Sequence, residues 1–160
     1  MDFSWSREEE DFRQDIRNFL KAELPQGWND TLVLDKESEE YIALAKDFTQ
    51  RVGAKGWLAA HWPQEYGGLG WSFWQYFIMN EEMAIADAPL IGLNGPKFLG
   101  PTIIHYGTEA QKQRHLPGIA QGTTQCGGEK AVFEPCEYVS RSLLQDDLSV
   151  IAAPHGGLAG

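Results

Sequence analysis

Apolar residues recur at helical spacing through most of the first 120 positions. Phe12, Ile16, Phe19 and Leu20 fall at i, i+4, i+7 and i+8, one stripe of an amphipathic helix, with Arg13, Asp15 and Arg17 off the stripe. Ser6 and Glu9 ahead of it form a capping-box pattern, and Pro25 and Gly27 end it. A second stripe, Tyr41, Leu44, Ala45, Phe48 and Val52, predicts a helix starting near Ser38 and stopping at Gly53 or Gly56.

Residues 57–72 lose the period. Trp57, Leu58, Trp62 and Tyr66 are large enough to be packed, whereas Pro63, Gly67, Gly68 and Gly70 call for turns. A phosphate-cradling loop needs a strand before its glycines and a helix bearing Lys or Ser/Thr after them, so a packed turn is expected here. Ser72 is a cap for a third helix over about Phe73–Ala88. Phe73, Phe77, Met79, Met83, Ala84 and Ala86 make that helix apolar on more than one face, the pattern of a helix buried in a bundle.

A fourth helical stretch is predicted over Leu90–Tyr106, with Pro96 and Pro101 making it irregular and Gly92, Gly95 and Gly100 allowing close approach. Thr108 and Gln111 form another capping box and open a fifth helix through Leu116, extending past Pro117 to Ala120. The expected fold class is all-α, orthogonal or bundle-like. Past Gly122 the period weakens and short β-leaning runs such as Glu137–Val139 appear. A divergent, loosely packed tail over 123–160 is expected there.

Composition narrows function by exclusion. The net charge is −10, which opposes binding to nucleic acid or anionic lipid. Thirteen of the 23 acidic residues lie in the first 50 positions, which places a solvated acidic face on the first helices. No run of 18 apolar residues suggests a membrane span, and the start MDFSWSREEE is neither a secretory signal nor a transit peptide, so the cytoplasm is the expected compartment. Cys126 and Cys136 match no zinc pattern. His61, His105, His115 and His155 have no metal-ligand spacing and are read as structural or surface residues.

WPQEYGGLG at 62–70, NEEMA at 80–84, GPTIIHYGTEAQK at 100–112 and LPGIAQG at 116–122 together resemble the N-terminal helical domain of acyl-CoA dehydrogenases. The resemblance runs in order from the helix at Ser6 to Gly122. It implies one domain of a three-domain flavoenzyme that oxidises the Cα–Cβ bond of an acyl-CoA thioester with FAD. The protein supplies orientation and electrostatics and the flavin the redox chemistry. The family's catalytic base is a glutamate of its third domain, so Glu81 and Glu82 are read as a paired acidic turn on a helix surface, and no catalytic residue is assigned.

The family holds its flavin largely with the middle domain, which opens with Ser/Thr-Glu-Pro and a glycine loop. Here only FEP at 133–135 echoes it, followed by CEYVSRS. Such an abrupt change is what a slipped reading frame produces, and the DNA beyond codon 125 is its test. The resemblance also implies that the fourth helical stretch forms part of the acyl-chain pocket wall. Leu93, Asn94, Phe98, Leu99, Thr102 and Ile103 are its substrate-binding candidates, although an apolar wall and an apolar core look alike in sequence. Two readings follow: the N-terminal part of an acyl-CoA dehydrogenase, not competent by itself, or a helical interaction module derived from that family. Either leaves apolar surface uncovered and favours self-association.

Overall fold

A computed structural model describes residues 5–28 and 35–124. Five α-helices follow one another: α1 Arg7–Glu23, α2 Glu39–Ala54, α3 Phe73–Ile85, α4 Gly100–Tyr106 and α5 Glu109–Ala120. A single 3-10 turn, Gln64–Tyr66, lies between α2 and α3, and a π-turn, Gly95–Leu99, runs directly into α4. The described fold is all-α, as the periodicity predicts. The expected β-leaning tail and the FEP segment lie outside the described residues.

Local signals account for the helix starts. Ser6 Oγ accepts from the Glu9 amide at 3.2 Å while Glu9 Oε2 accepts from the Ser6 amide at 2.8 Å, closing the capping box at α1. Reciprocal pairs close the same box at α3, between Ser72 and Gln75, and at α5, between Thr108 and Gln111. Ser38 caps α2 through the Tyr41 amide. α5 does continue past Pro117 to Ala120.

Two cores result. Ile16, Phe19 and Leu20 of α1, Phe48 and Val52 of α2, Met79 and Met83 of α3 and Leu58 form the first. Ala59, Trp62, Ile103, Leu116, Ile119 and Ala120 form the second, between the turn after α2 and the α4–α5 pair. The glycine loop is a packed turn. Gly67 donates to Gln64, Gly68 to Pro63, and Leu69 and Trp71 both to the Ala60 carbonyl, so these amides close the turn on itself.

Three expectations change. The segment 88–93 is not helical. Gly92 sits at φ 69°, a left-handed conformation that an α-helix excludes, so the helical path begins only after it. α3 is not buried all round. Ile78, Met79 and Met83 face the core, while Phe73, Trp74, Phe77 and Ile85 are exposed. Glu82 is not on the surface: it is 3% exposed, beneath Arg13, itself 6% exposed although it lies off the apolar stripe. A charged residue can occupy an apolar flank when a neighbouring helix supplies its counter-charge, which periodicity on one helix does not report.

Candidate functional site

The candidate wall begins where the chain leaves Gly92. Pro101 has no N–H to give the Lys97 carbonyl, and its ring would strike that carbonyl in an α-helical turn. The turn therefore widens. Gly100 donates to Gly95 five residues back, and α4 resumes beyond. Trp62 sets this π-turn in place. Its indole Nε1 donates to the Pro96 carbonyl at 3.0 Å, and its ring lies so close to Gly100 that a Cβ there would stand 2.0 Å from Trp62 Cζ2. Gly100 thus provides the close approach its sequence position suggests.

The six candidate residues divide into two sets. Ile103 is 2% exposed and belongs to the second core. Leu99 packs half-buried against that core, and Leu93 half-buried against the first. Leu93 also lines a cavity of about 10 Å³, which has room for about one water molecule. Asn94, Phe98 and Thr102 form the open set. All three are exposed, Phe98 by 67%, and the Thr102 hydroxyl donates to the Phe98 carbonyl at 2.8 Å one turn back. Two larger clefts, of about 560 Å³ beside Tyr66 and Lys112 and about 860 Å³ between the C-terminal ends of α1 and α3, are lined by no residue of the 93–103 segment.

His61 stands next to this wall. Its ring packs on Tyr76 at 4.4 Å between centroids, and its Nδ1 is buried without a hydrogen-bond partner. Burial, aided by the Lys97 ammonium, holds its pKa below the ordinary histidine value. The neutral imidazole is therefore favoured. Neither motif nor periodicity singled out His61; only its position between α3 and the π-turn does so.

The paired acids are engaged elsewhere. Arg13 Nη1 donates to Glu82 Oε1 at 2.5 Å and to Glu81 Oε2 at 2.6 Å. Arg17 adds a two-pronged contact to Glu82, at 2.8 and 3.0 Å. Burial works against the charged Glu82 carboxylate, but the hydrogen bonds from Arg17 and Arg13 outweigh it and leave its pKa below the usual range. A carboxylate held ionised in this way is a weak proton acceptor, consistent with a structural role. Among the described residues no cluster of His, Cys, Asp or Glu is arranged to hold a metal, and no helix is long and apolar enough to cross a membrane. The amides of Gly67, Gly68, Leu69 and Trp71 in the glycine loop are hydrogen-bonded within their own turn.

Four side-chain-capped helices, an uncapped α4 and a tryptophan-braced π-turn make up an all-α domain with a partly open wall. The family model described as the N-terminal domain of acyl-CoA dehydrogenase matches residues 6–123. The chain belongs to the acyl-CoA dehydrogenase family through this domain. Acyl-CoA dehydrogenase FadE26 of Mycobacterium tuberculosis is 32% identical over 124 residues, covering 76% of this chain and 30% of FadE26. Acyl-CoA dehydrogenase IpdE1 of the same organism is 35% identical over 117 residues, covering 71% of this chain and 30% of IpdE1. Among solved structures, the ChsE4–ChsE5 complex from Mycobacterium tuberculosis superposes with a TM-score of 0.63 at 33% identity, covering 76% of this chain and 30% of that one. A steroid ACAD, Tcur3481–Tcur3483, superposes with a TM-score of 0.63 at 28% identity, covering 78% of this chain and 32% of that one. The chain thus spans about 30% of the length of the curated relatives it matches.

Proposed function

We propose that this chain supplies the acyl-chain side of an FAD-dependent acyl-CoA dehydrogenase, a cytoplasmic enzyme that oxidises the Cα–Cβ bond of an acyl-CoA thioester. Residues 1–122 make up its N-terminal helical domain, and residues 123–160 are a divergent tail in place of the start of the middle β domain. The observation that carries the reading is the family match over residues 6–123 together with an open wall at Asn94, Phe98 and Thr102 on the segment that the family uses for its pocket. Phe98 and Thr102 touch the acyl chain. Leu93, Leu99 and Ile103 hold the wall in shape from behind. A bound flavin would accept the hydride. No turnover is expected of the chain by itself; Glu81 and Glu82, the paired acids of α3, are engaged by Arg13 and Arg17.

The test is purification of the full chain, followed by flavin absorbance near about 450 nm and acyl-CoA oxidation with an electron-accepting dye. No turnover is expected, whereas a fluorescent acyl-CoA should bind and lose at least about tenfold in affinity with Phe98→Asp, a change of about 1.4 kcal/mol. Turnover by the chain alone, or binding indifferent to Phe98, overturns the reading.

A specific observation also favours association with other protein. Phe73, Trp74 and Phe77 stand together uncovered on α3, and a contiguous apolar patch of this kind is often an interaction surface. The ChsE4–ChsE5 structure named above is a complex, which supports an assembly for this chain as well.

A further inference from the structure

Trp62 is gripped at both ends by glycines. It is 1% exposed. A Cβ on Gly68 would stand 1.9 Å from the Trp62 carbonyl oxygen, and a Cβ on Gly100 would stand 2.0 Å from Trp62 Cζ2. Gly68 also donates to the Pro63 carbonyl at 3.2 Å, which closes the loop over the Trp62 backbone. The glycine loop thus holds the backbone of Trp62, and the π-turn receives its ring.

The hydrogen-bond pattern of the π-turn says what the indole does there. Lys97 donates to Leu93 four residues back at 3.1 Å, whereas Gly100 donates to Gly95 five back. The next bond of the widened pattern would run from residue 101 to the Pro96 carbonyl. Residue 101 is proline and has no N–H to give. Pro96 is buried, where an unpaired carbonyl is costly. Trp62 Nε1 donates to that carbonyl at 3.0 Å. A side chain distant in sequence therefore stands in for one missing backbone amide.

This bond lies beside the open part of the wall. Phe98 follows Pro96 by two residues, and the Thr102 hydroxyl is tied to the Phe98 carbonyl. Leu99 and Ile103, the next residues along, pack into the core that contains Trp62. We propose that Trp62 is a positioning residue for acyl-chain binding: its indole N–H replaces the one that Pro101 lacks, and so holds Phe98 and Thr102 where they meet the acyl chain. Trp62 is buried and touches no substrate; it acts through the turn. The proposal rests on the acyl-wall reading above and adds to it the residue that sets the wall.

The test uses the full chain, a pyrene-labelled fatty acyl-CoA as probe, and amide hydrogen exchange read by mass spectrometry. Trp62→Phe keeps a ring and loses the N–H. It is expected to speed exchange over residues 97–103 at least about tenfold more than over α1, and to weaken acyl-CoA binding at least about fivefold. Pro101→Ala restores an amide that can close on the Pro96 carbonyl five residues back. Added to Trp62→Phe, it should return exchange and affinity to within about twofold of the unsubstituted chain, a rescue that lost ring packing alone would not allow. No rescue overturns the proposal, as does exchange that rises equally in α1. Binding that Phe98→Asp weakens and Trp62→Phe leaves intact keeps the proposed function and overturns this proposal alone. A chain whose exchange responds and recovers as expected, but which binds no acyl-CoA, overturns the proposed function and with it the acyl role of Trp62.

Discussion

Arg13 and Glu82 form a buried ion pair that ties α1 to α3: the Arg13 Nη1 to Glu82 Oε1 distance is 2.5 Å, and their side chains are 7% and 4% exposed. Both charges have left water, so each depends on the other to offset its desolvation.

Removing one partner leaves the other with a single, more exposed counter-charge: Glu82 keeps Arg17, and Arg13 keeps Glu81. Arg13→Met or Glu82→Leu alone should cost about 1–3 kcal/mol in urea unfolding. The double variant Arg13→Met/Glu82→Leu should be markedly more stable than the sum of the two singles, because it leaves no buried charge uncompensated. Additive losses in the double-mutant cycle would count against the pair.

Acid should weaken the fold in two stages. The folded His61 has its pKa held below the ordinary 6.5 by burial and by Lys97. The unfolded chain therefore takes up this proton first, and stability begins to fall as pH drops below about 6.5. The folded Glu82 has its pKa held below the usual 4.5, as has Glu9 through its hydrogen bonds with Ser6. Their contributions are intact above about 4.5 and are lost as pH falls through the folded values. Thermal melts across pH check this: His61→Phe should flatten the upper stage and Glu82→Gln the lower one.

Gly100→Ala should destabilise by about 1–3 kcal/mol, because the new methyl collides with the Trp62 ring. Trp62→Phe opens space but loses the hydrogen bond to the Pro96 carbonyl. In the combined variant the two losses should be less than additive, as measured by chemical denaturation.

The two halves of the candidate wall should separate by stability. Ile103→Ala is expected to cost about 2–5 kcal/mol, as a fully buried core truncation does. Phe98→Ser should stay within about 0.5 kcal/mol, because its ring is in solvent. A large loss from Phe98→Ser would make it a core residue and remove it from the wall.

Thr108→Ala should remove about 1 kcal/mol by opening the cap of α5, with the loss read from helicity and urea midpoint.

The helix starts were legible because their causes are local. Ser6 with Glu9, and Thr108 with Gln111, satisfy free amides three residues away, and the stripes of α1 and α2 repeat within one turn. The family was legible for a related reason: several short motifs stand in the same order along residues 62–122. Within the candidate wall, the residue set was readable, but its division was not. Ile103 and Phe98 are both apolar on one helical stretch, and only the positions of Trp62 and α5 make one core and the other surface.

The amino-acid order by itself determined where α1, α2, α3 and α5 begin and that the domain is all-α, because these depend on contacts within about a turn of chain, and its ordered motifs determined which family it joins. Tertiary structure decided that Glu82 lies buried beneath Arg13, that His61 faces Tyr76 and that the rings of α3 stay in water. Each of these depends on which distant segment arrives alongside, and the polarity of a residue does not specify its neighbour.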